Sequence, residues 1–522
     1  MATINRRQFF ARSAIAAAAV GATAQAAPFS QAHAAKGKQP NILFAIADDW
    51  SWPHAGAYGA PQINTPNFDR VAKEGCLFNN CHTAAPQCSP NRAATLTGRH
   101  IWQIEEAGTH ASIFPNTWPV FTDCLEDTGY HIGYTGKPWS PGDWRRGGWE
   151  RNPAGPGYNS RKLEPPYDGM KNLDYAANFE DFLGERPEGA PFMFWFGTSE
   201  PHRRYEKGSG LKEGKDPAKV NVPPFLPDAP TVREDLLDYF VEVEWFDTHL
   251  GRILAKLEEI GELDNTLVVA TSDNGMPFPR AKANLYEYGT HVPLAVRWPE
   301  KVAAGQTMDT LVGFIDLGPT FLDAAGAKTP PTMTGKSFLP ILTGAADPGA
   351  RGRDFLLTGR ERHTHARYDN LGYPVRAIRT ADYLYIHNFK PDRWPAGPAP
   401  GFHDIDGSPT LDYLMENREK HPNLYDLTLM KRPAEELYAV GDDPGCMKNL
   451  AADPAHADTL LELRAKLMGA LHATNDPRVL GTGDIFESYP RVSHMRPYLG
   501  GFSEQGEYNL EYVPPGLKSN TY

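Results

Sequence analysis

Asn41-Ile42-Leu43-Phe44-Ala45-Ile46-Ala47-Asp48-Asp49 is a nearly unbroken apolar run that stops at two adjacent carboxylates. Apolar residues without polar alternation are what a strand buried on both faces needs, as in a parallel sheet. Two further runs have the same texture. Pro191-Phe192-Met193-Phe194-Trp195-Phe196 ends at Gly197-Thr198, and Thr266-Leu267-Val268-Val269-Ala270-Thr271 ends at Ser272-Asp273-Asn274-Gly275. Between them Leu236, Phe240, Val243, Phe246, Leu250, Ile253, Leu257 and Ile260 recur at three- and four-residue steps, the period of a helix. Strand, helix, strand in this order predicts βαβ units and an α/β fold. Ligands of such sheets bind beyond the carboxyl ends of the strands, so acidic residues at two of those ends stand where a site belongs.

Outside this body the texture changes. From about Asp354, Val375–Arg379 and Tyr383–Ile386 read as short strands around a Thr380-Ala381-Asp382 turn, followed by a helix from about Asp458 to Ala473. This predicts a smaller C-terminal α+β subdomain. The tail after about Asp476 is rich in Gly, Pro and Tyr without periodicity; wrapping the body and lining the site both stay open. At the other end, Arg6-Arg7 precedes Gln8-Phe9-Phe10, an alanine-rich stretch from about Ala14 to Ala27, and an Ala32-His33-Ala34 cleavage site. That stretch is too short and too weakly apolar to span a membrane, and it reads as an export signal. The twin arginine points to the Tat route, with an ordinary secretory signal as the alternative. The expected organisation is an export signal over 1–35, a main domain over 36–353, the α+β subdomain over 354–480 and an irregular tail over 481–522. No other segment reads as transmembrane.

The 522 residues carry a formal charge of −12 without any long basic run, which argues against nucleic acid as a partner. An acidic total leaves an anionic substrate open, because a pocket's field is local. Cys76, Cys81, Cys88, Cys124 and Cys446 are odd in number and sparse, so they form no disulfide framework. At least one is unpaired or modified, and the others read as buried thiols.

Cys88 has the most informative surroundings: Cys88-Ser89-Pro90-Asn91-Arg92-Ala93-Ala94-Thr95-Leu96-Thr97-Gly98-Arg99. Ser89 suits an N-cap, Pro90 the first helical position and Gly98 the stop. Cys88 then lies at a helix N-terminus, where free N–H groups favour an anion. Arg92, one turn on, shares its face, and a thiol so placed is expected to have a lowered pKa.

C-S-P-x-R followed by T-G-R resembles the signature of the type I, formylglycine-dependent sulfatases of the alkaline phosphatase superfamily. Asp48-Asp49, Gly136-Lys137 and Ser272-Asp273-Asn274-Gly275 fit the same family in the same order, and the resemblance runs from about Asn41 to Asp476. It implies an alkaline phosphatase-like α/β fold: a large mixed, mostly parallel sheet flanked by helices, with 36–353 as the catalytic domain. It implies a sulfuric ester hydrolase in which a maturase, acting before export, converts Cys88 to formylglycine. Asp48, Asp49, Asp273 and Asn274 would bind a divalent metal together with residue 88. Hard oxygen donors suit Ca²⁺, and no Cys/His cluster has zinc spacing. A formylglycine hydrate carries two hydroxyls on one carbon; one attacks sulfur and the other is deprotonated as sulfate leaves. Arg92 would orient the nucleophile, Lys137 and Lys282 would neutralise sulfate oxygens, and His202 would protonate the leaving group.

Two departures from the family stand out. Relatives commonly carry histidine two residues after the lysine matched by Lys137, where this chain has Trp139; His291 and His363 are candidates to replace it. Tyr286-Glu287-Tyr288-Gly289-Thr290-His291 lacks a second glycine and an arginine that many relatives have. Ser272–Pro279 with Asn284-Leu285-Tyr286 resembles the sulfamidase (heparan N-sulfatase) branch, implying a sulfated carbohydrate, N- or O-sulfated. Trp139, Trp144 and Trp149 with Arg145 and Arg146 offer stacking and anion-pairing groups, and His291, Arg362, His363 and Arg376 are expected at the pocket rim. A periplasmic or secreted location follows from the leader. Two competing readings remain: a phosphodiesterase or phosphonate monoester hydrolase of the same superfamily, and a non-catalytic protein that binds sulfated glycans.

Overall fold

In the computed structural model the described residues are 39–345, 352–364, 366–367, 371–399 and 401–492. The expected leader over 1–35 and the tail from 493 lie outside them.

β1 (Asn41–Ala47) is buried along its whole length, as its sequence demands. It is an interior strand of a sheet that also contains β2 (Cys76–His82), β3 (His131–Gly136), β4 (Phe192–Gly197), β5 (Thr266–Ser272), β6 (His291–Arg297), β7 (Gln306–Met308) and β8 (Val312–Gly313). The order is β3-β4-β1-β5-β6-β2-β7, with β8 also on β2. β3, β4, β1 and β5 run parallel. β6 is antiparallel to both β5 and β2, while β2 is parallel to β7 and β8, which makes the sheet mixed.

Both faces of the sheet are covered. Leu43, Ala45, Phe194 and Val268 pack with Leu236, Phe240, Val243, Phe246 and Leu250 of the helix Pro230–Glu259. Ile42, Phe44, Ile46, Trp195 and Val269 pack with Ala93 and Leu96 of the helix Cys88–Thr97 and with Phe321 of Leu317–Ala324. Each fully buried Leu, Ile or Phe contributes roughly 1.5–3 kcal/mol by leaving water, so two covered faces dominate the stability of the fold. Ile260, the last member of the helical pattern, caps the helix and is 38% exposed.

The second sheet is antiparallel: β9 (Leu356–Arg360), β10 (Val375–Arg379), β11 (Tyr383–Asn388) and β12 (Glu435–Ala439), in the order β12-β11-β10-β9. Leu460, Leu463, Leu467 and Leu471 of the helix Ala457–Ala473 bury one side of it against Ile378, Tyr385 and Leu437. All five cysteines are free, and Cys124 alone among them is half-buried rather than buried. The described part of the tail reaches back to the main body, where the Val492 amide donates to the Ala111 carbonyl at 2.9 Å.

Candidate active site

The site forms where β1, β4 and β5 end together. Ala47 pairs with Ser272 across β1 and β5, and Ile46 pairs with Gly197 across β1 and β4. This register sets Asp48 beside Asp273, with the Asp273 amide donating to the Ala47 carbonyl at 3.1 Å. Successive strand residues normally point to opposite faces. Asp49 breaks that alternation with φ +78°, a left-handed conformation that costs on the order of 1 kcal/mol but lets two consecutive carboxylates converge. Gly275 permits the matching turn after β5, since a Cβ there would lie 1.8 Å from the Tyr288 carbonyl oxygen.

Cys88 enters from the first turn of its helix. The N-cap is Gln87, not the expected Ser89, and Gly98 closes the helix in the left-handed region as expected. Ser89 fails to cap because its hydroxyl accepts from the Ala111 amide at 3.0 Å instead. The Cys88 thiol donates to Asp48 Oδ1 at 3.3 Å. Ligand atoms of Asp48, Asp49, Cys88 and Asp273 all lie within 4.8 Å of one another.

Three cations interlock with these carboxylates. Arg92 Nε donates to Asp273 Oδ2 at 2.7 Å, and its Nη1 donates to the Lys137 carbonyl at 2.7 Å. The Lys137 ammonium contacts Asp48 Oδ2. Lys282 Nζ lies 2.6 Å from Asp49 Oδ2 and 3.1 Å from Asp406 Oδ2. Burial would raise Asp48, yet Lys137, His202, Arg92 and Lys282 hold its carboxyl well below the usual range. Asp49 is pushed up to about 7, by burial and by Asp48, against the pull of Lys282. Asp273 rises to about 6 by burial and Asp48, against Arg92. Two carboxylates held this reluctantly ionised mark a cluster short of positive charge. Asn274 adds the decisive detail: its Nδ2 donates to Asp49 Oδ1 at 2.7 Å, leaving Oδ1 buried without a partner. A buried amide oxygen without a donor is costly. Beside three carboxylates it fits a hard divalent cation.

The lowered pKa expected for Cys88 is corrected. Burial and the adjacent Asp48 carboxylate push the thiol well above its ordinary value, outweighing Lys137 and Lys282.

His202 follows β4 and donates from Nδ1 to the Arg203 carbonyl at 2.8 Å, and a ring nitrogen lies within 4.8 Å of carboxylate oxygens of Asp49 and Asp406. Burial and Lys282 lower it to about 4, against Asp48. A cavity of about 410 Å³ opens over Asp48, Cys88, Lys137 and His202, with His110, Ser140 and Lys171 on its wall.

The expected rim residues fare differently. Trp139 is packed against Phe114 and donates its indole N–H to the Ser89 carbonyl at 3.1 Å, so its face is closed to a sugar. Arg145 covers the Trp144 ring, and Trp149 donates to the Phe114 carbonyl at 2.9 Å. His291 stacks between Trp52 and His82, with Nε2 2.7 Å from the Asn79 carbonyl and Nδ1 3.2 Å from Glu287. It is therefore a packing residue and not a replacement beside Cys88. Arg362 donates to the carbonyls of Tyr489 and Pro490 and to Thr109, holding the tail. Arg376 is sealed, paired with Asp476 and Glu361. His363 comes nearer: it pairs with Asp404 at 3.2 Å, and its ring lies 4.7 Å from that of His110, yet it does not line the cavity.

The structure adds two residues that the sequence reading did not single out. Asp406 joins Lys282 and His202, and His110 lines the cavity. Neither follows a strand or sits in a spaced motif, so only tertiary proximity reveals them.

Residues 40–327 match the sulfatase family, and residues 280–395 match the C-terminal domain of N-sulphoglucosamine sulphohydrolase. The chain is 30% identical over 487 residues to human N-sulphoglucosamine sulphohydrolase, covering 86% of this chain and 93% of that one. It is 25% identical to an ulvan-active sulfatase of Formosa agariphila, covering 88% and 79%. Among solved structures, a protein in complex with its substrate D-glucosamine-2-N,6-O-disulfate superposes with TM-score 0.63 at 22% identity, over 84% of this chain and 99% of that one. The phosphonate monoester hydrolase of Agrobacterium radiobacter superposes with TM-score 0.63 at 18% identity, over 90% and 99%. The two neighbours share the fold alone with this chain.

Proposed function

Since the chain belongs to the sulfatase family, within the alkaline phosphatase superfamily, and is thus a sulfuric ester hydrolase, we propose that it removes sulfate from a carbohydrate sulfate ester or sulfamate, using formylglycine made from Cys88. The observation that carries this reading is the convergence of Cys88 and three aspartates, with the unpartnered Asn274 Oδ1 beside Asp49, next to a cavity that Asp48 and Cys88 line together with lysine and histidine.

Asp48, Asp49, Asp273 and Asn274 would hold the divalent cation, Ca²⁺ by donor chemistry, with residue 88 completing the set. When bound, that cation supplies Lewis-acid help in ionising the nucleophile. The formylglycine hydrate supplies two hydroxyls on one carbon, one to attack sulfur and one to drive sulfate out. The chain's own residues do the rest. Arg92 fixes Asp273 and braces the Lys137 carbonyl from below. Lys137 and Lys282, both at the carboxylate cluster, neutralise sulfate oxygens as charge builds on them. His202 rests neutral with Nδ1 committed to the Arg203 carbonyl, so it would take up a proton at Nε2 once the bound sulfate's charge raises its basicity, and pass that proton to the departing alcohol or amine.

A saccharide substrate is supported by the relatives, whose names include N-sulphoglucosamine and ulvan substrates. The leader over 1–35 and its twin arginine support export to the periplasm or beyond, with the maturase acting first on the cytoplasmic chain. Among the described residues no helix is long and apolar enough to cross a membrane. We read 36–353 as the catalytic domain and 354–480 as a subdomain that lends Asp406 to the site.

The test is co-expression with a formylglycine-generating maturase, mass measurement of the residue-88 peptide, and sulfate release from glucosamine N-sulfate and 6-O-sulfate. A bis(4-nitrophenyl) phosphate arm runs in parallel. Release of sulfate only by protein carrying formylglycine is the expected result. Faster phosphodiester turnover would replace this reading with the phosphodiesterase one, and binding of a sulfated glycan without release by fully converted protein would leave a glycan-binding protein.

A further inference from the structure

Release of sulfate from residue 88 needs a proton acceptor, and Trp139 is not one. An indole only donates, and its N–H is committed to the Ser89 carbonyl. Two imidazoles line the cavity that holds Cys88, those of His202 and His110. His202 is assigned to the leaving group, which leaves His110.

The surroundings of His110 select one tautomer. Nδ1 lies 3.0 Å from the His363 carbonyl, which can only accept, so Nδ1 carries the hydrogen. Nε2 then holds the lone pair. No hydrogen bond among the described residues engages it, and the residue, 8% exposed, lines the cavity that Cys88 also lines. Burial, with His363, Arg491, Lys282 and Lys137 nearby, holds the ring well below the usual histidine range, so it rests in the base form. A bound sulfate beside it raises its basicity at the moment it is needed.

The loop is anchored to the nucleophile's own helix. The His110 amide donates to the Arg362 carbonyl at 3.2 Å, and the Ala111 amide donates to Ser89 Oγ at 3.0 Å. Ala111 is held at φ +53°, a strain on the order of 1 kcal/mol that its anchoring overcomes.

We infer that His110 is the proton acceptor in sulfate release, taking the place that Trp139 leaves vacant. His110 Nε2 takes the proton of the second hydroxyl on the carbon that carries the sulfate. As that O–H bond breaks, its electron pair forms the C=O bond. The C–O bond to sulfate breaks, and sulfate departs with the electron pair of that C–O bond. The imidazolium then returns its proton to water, and no electrons are exchanged with any other reagent. The inference rests on the formylglycine sulfatase reading above.

The full chain, with conversion at residue 88 confirmed by mass, is compared with His110→Ala and His110→Gln, using 4-methylumbelliferyl sulfate and glucosamine N-sulfate as probes. Gln keeps a donor for the His363 carbonyl but cannot accept the proton, and thermal midpoints check folding. Both variants should release one equivalent of leaving group at the wild-type rate, then slow by about 10²–10⁴-fold. Protein quenched during turnover should carry one added SO₃ on the residue-88 peptide, and His202→Ala should not. Turnover at the wild-type rate, slow turnover with an unsulfated residue-88 peptide, or rescue by Gln would each overturn the inference. Converted wild-type protein that consumes neither probe overturns the sulfatase reading, and this inference with it.

Discussion

Arg376→Met separates a structural arginine from a substrate-binding one. Arg376 is wholly buried, and its Nε and Nη2 donate to Asp476 at 2.6 and 3.2 Å while Nη2 also donates to Glu361 at 2.7 Å. Glu361 keeps Arg478 at 2.6 Å after the substitution. Among the described residues the Asp476 carboxylate then keeps the Arg478 amide at 3.0 Å and no cation, so it becomes a buried, unpaired charge. Removing one partner of such a pair costs about 3–5 kcal/mol. With roughly 2 cal/mol/K of unfolding entropy per residue, a cooperative chain of 522 residues loses about 1 °C per kcal/mol, so the thermal midpoint should drop by about 3–5 °C. Arg376→Met with Asp476→Asn removes the stranded charge and should recover at least half of the loss. Calorimetry measures the midpoints, and sulfate release from glucosamine N-sulfate measures KM, which should not move. An unchanged midpoint together with a raised KM would refute the packing argument and return Arg376 to the pocket rim.

Asn274→Ala removes the unpartnered oxygen and should weaken Ca²⁺ binding at least about tenfold by titration calorimetry; unchanged affinity would remove Asn274 from the metal set. Trp139→Phe leaves the Ser89 carbonyl without its donor, a loss of about 1–2 kcal/mol in denaturant unfolding; a rise in KM for the saccharide would instead show that the indole touches substrate. His249 is lowered from 6.5 to about 4 by burial and then Arg252, with Nε2 unpartnered. Its folded pKa lies below its unfolded one, so the associated stability is full above about pH 6.5 and drains as pH falls toward 4. That loss is about 3 kcal/mol, and His249→Phe should flatten this part of the pH–stability curve; identical curves for the two proteins would contradict the assignment.

Much of the fold is legible locally. The unbroken apolar runs become β1 and β5 at the expected residues, and β4 is displaced by one. The long helix begins at Pro230, earlier than its apolar pattern shows, because its first turn carries Pro, Thr and Arg. β2, β3 and β6 are harder to see. β2 is interrupted by the adjacent pair Asn79-Asn80, and β6 opens with a histidine. The antiparallel insertion of β6 beside β5 therefore emerges only in three dimensions.

At the site, the sequence by itself determined the donors: acidic residues at two strand ends, a cysteine on a helix start and an arginine one turn on. These are consequences of local periodicity and capping, which operate within a few residues. Tertiary structure alone decided how they meet. The pairing of Ala47 with Ser272 joins residues 48 and 273, and the left-handed turn at Asp49 aims its carboxylate inward. The same level of structure reversed the roles of Trp139, His291, Arg362 and Arg376 and brought in His110 and Asp406. Whether an arginine meets solvent, a substrate or a buried carboxylate depends on partners about a hundred residues away, as Arg376 and Asp476 show. Such contacts leave no periodic trace in the chain, because their spacing is set by packing and not by the repeat of a helix or strand.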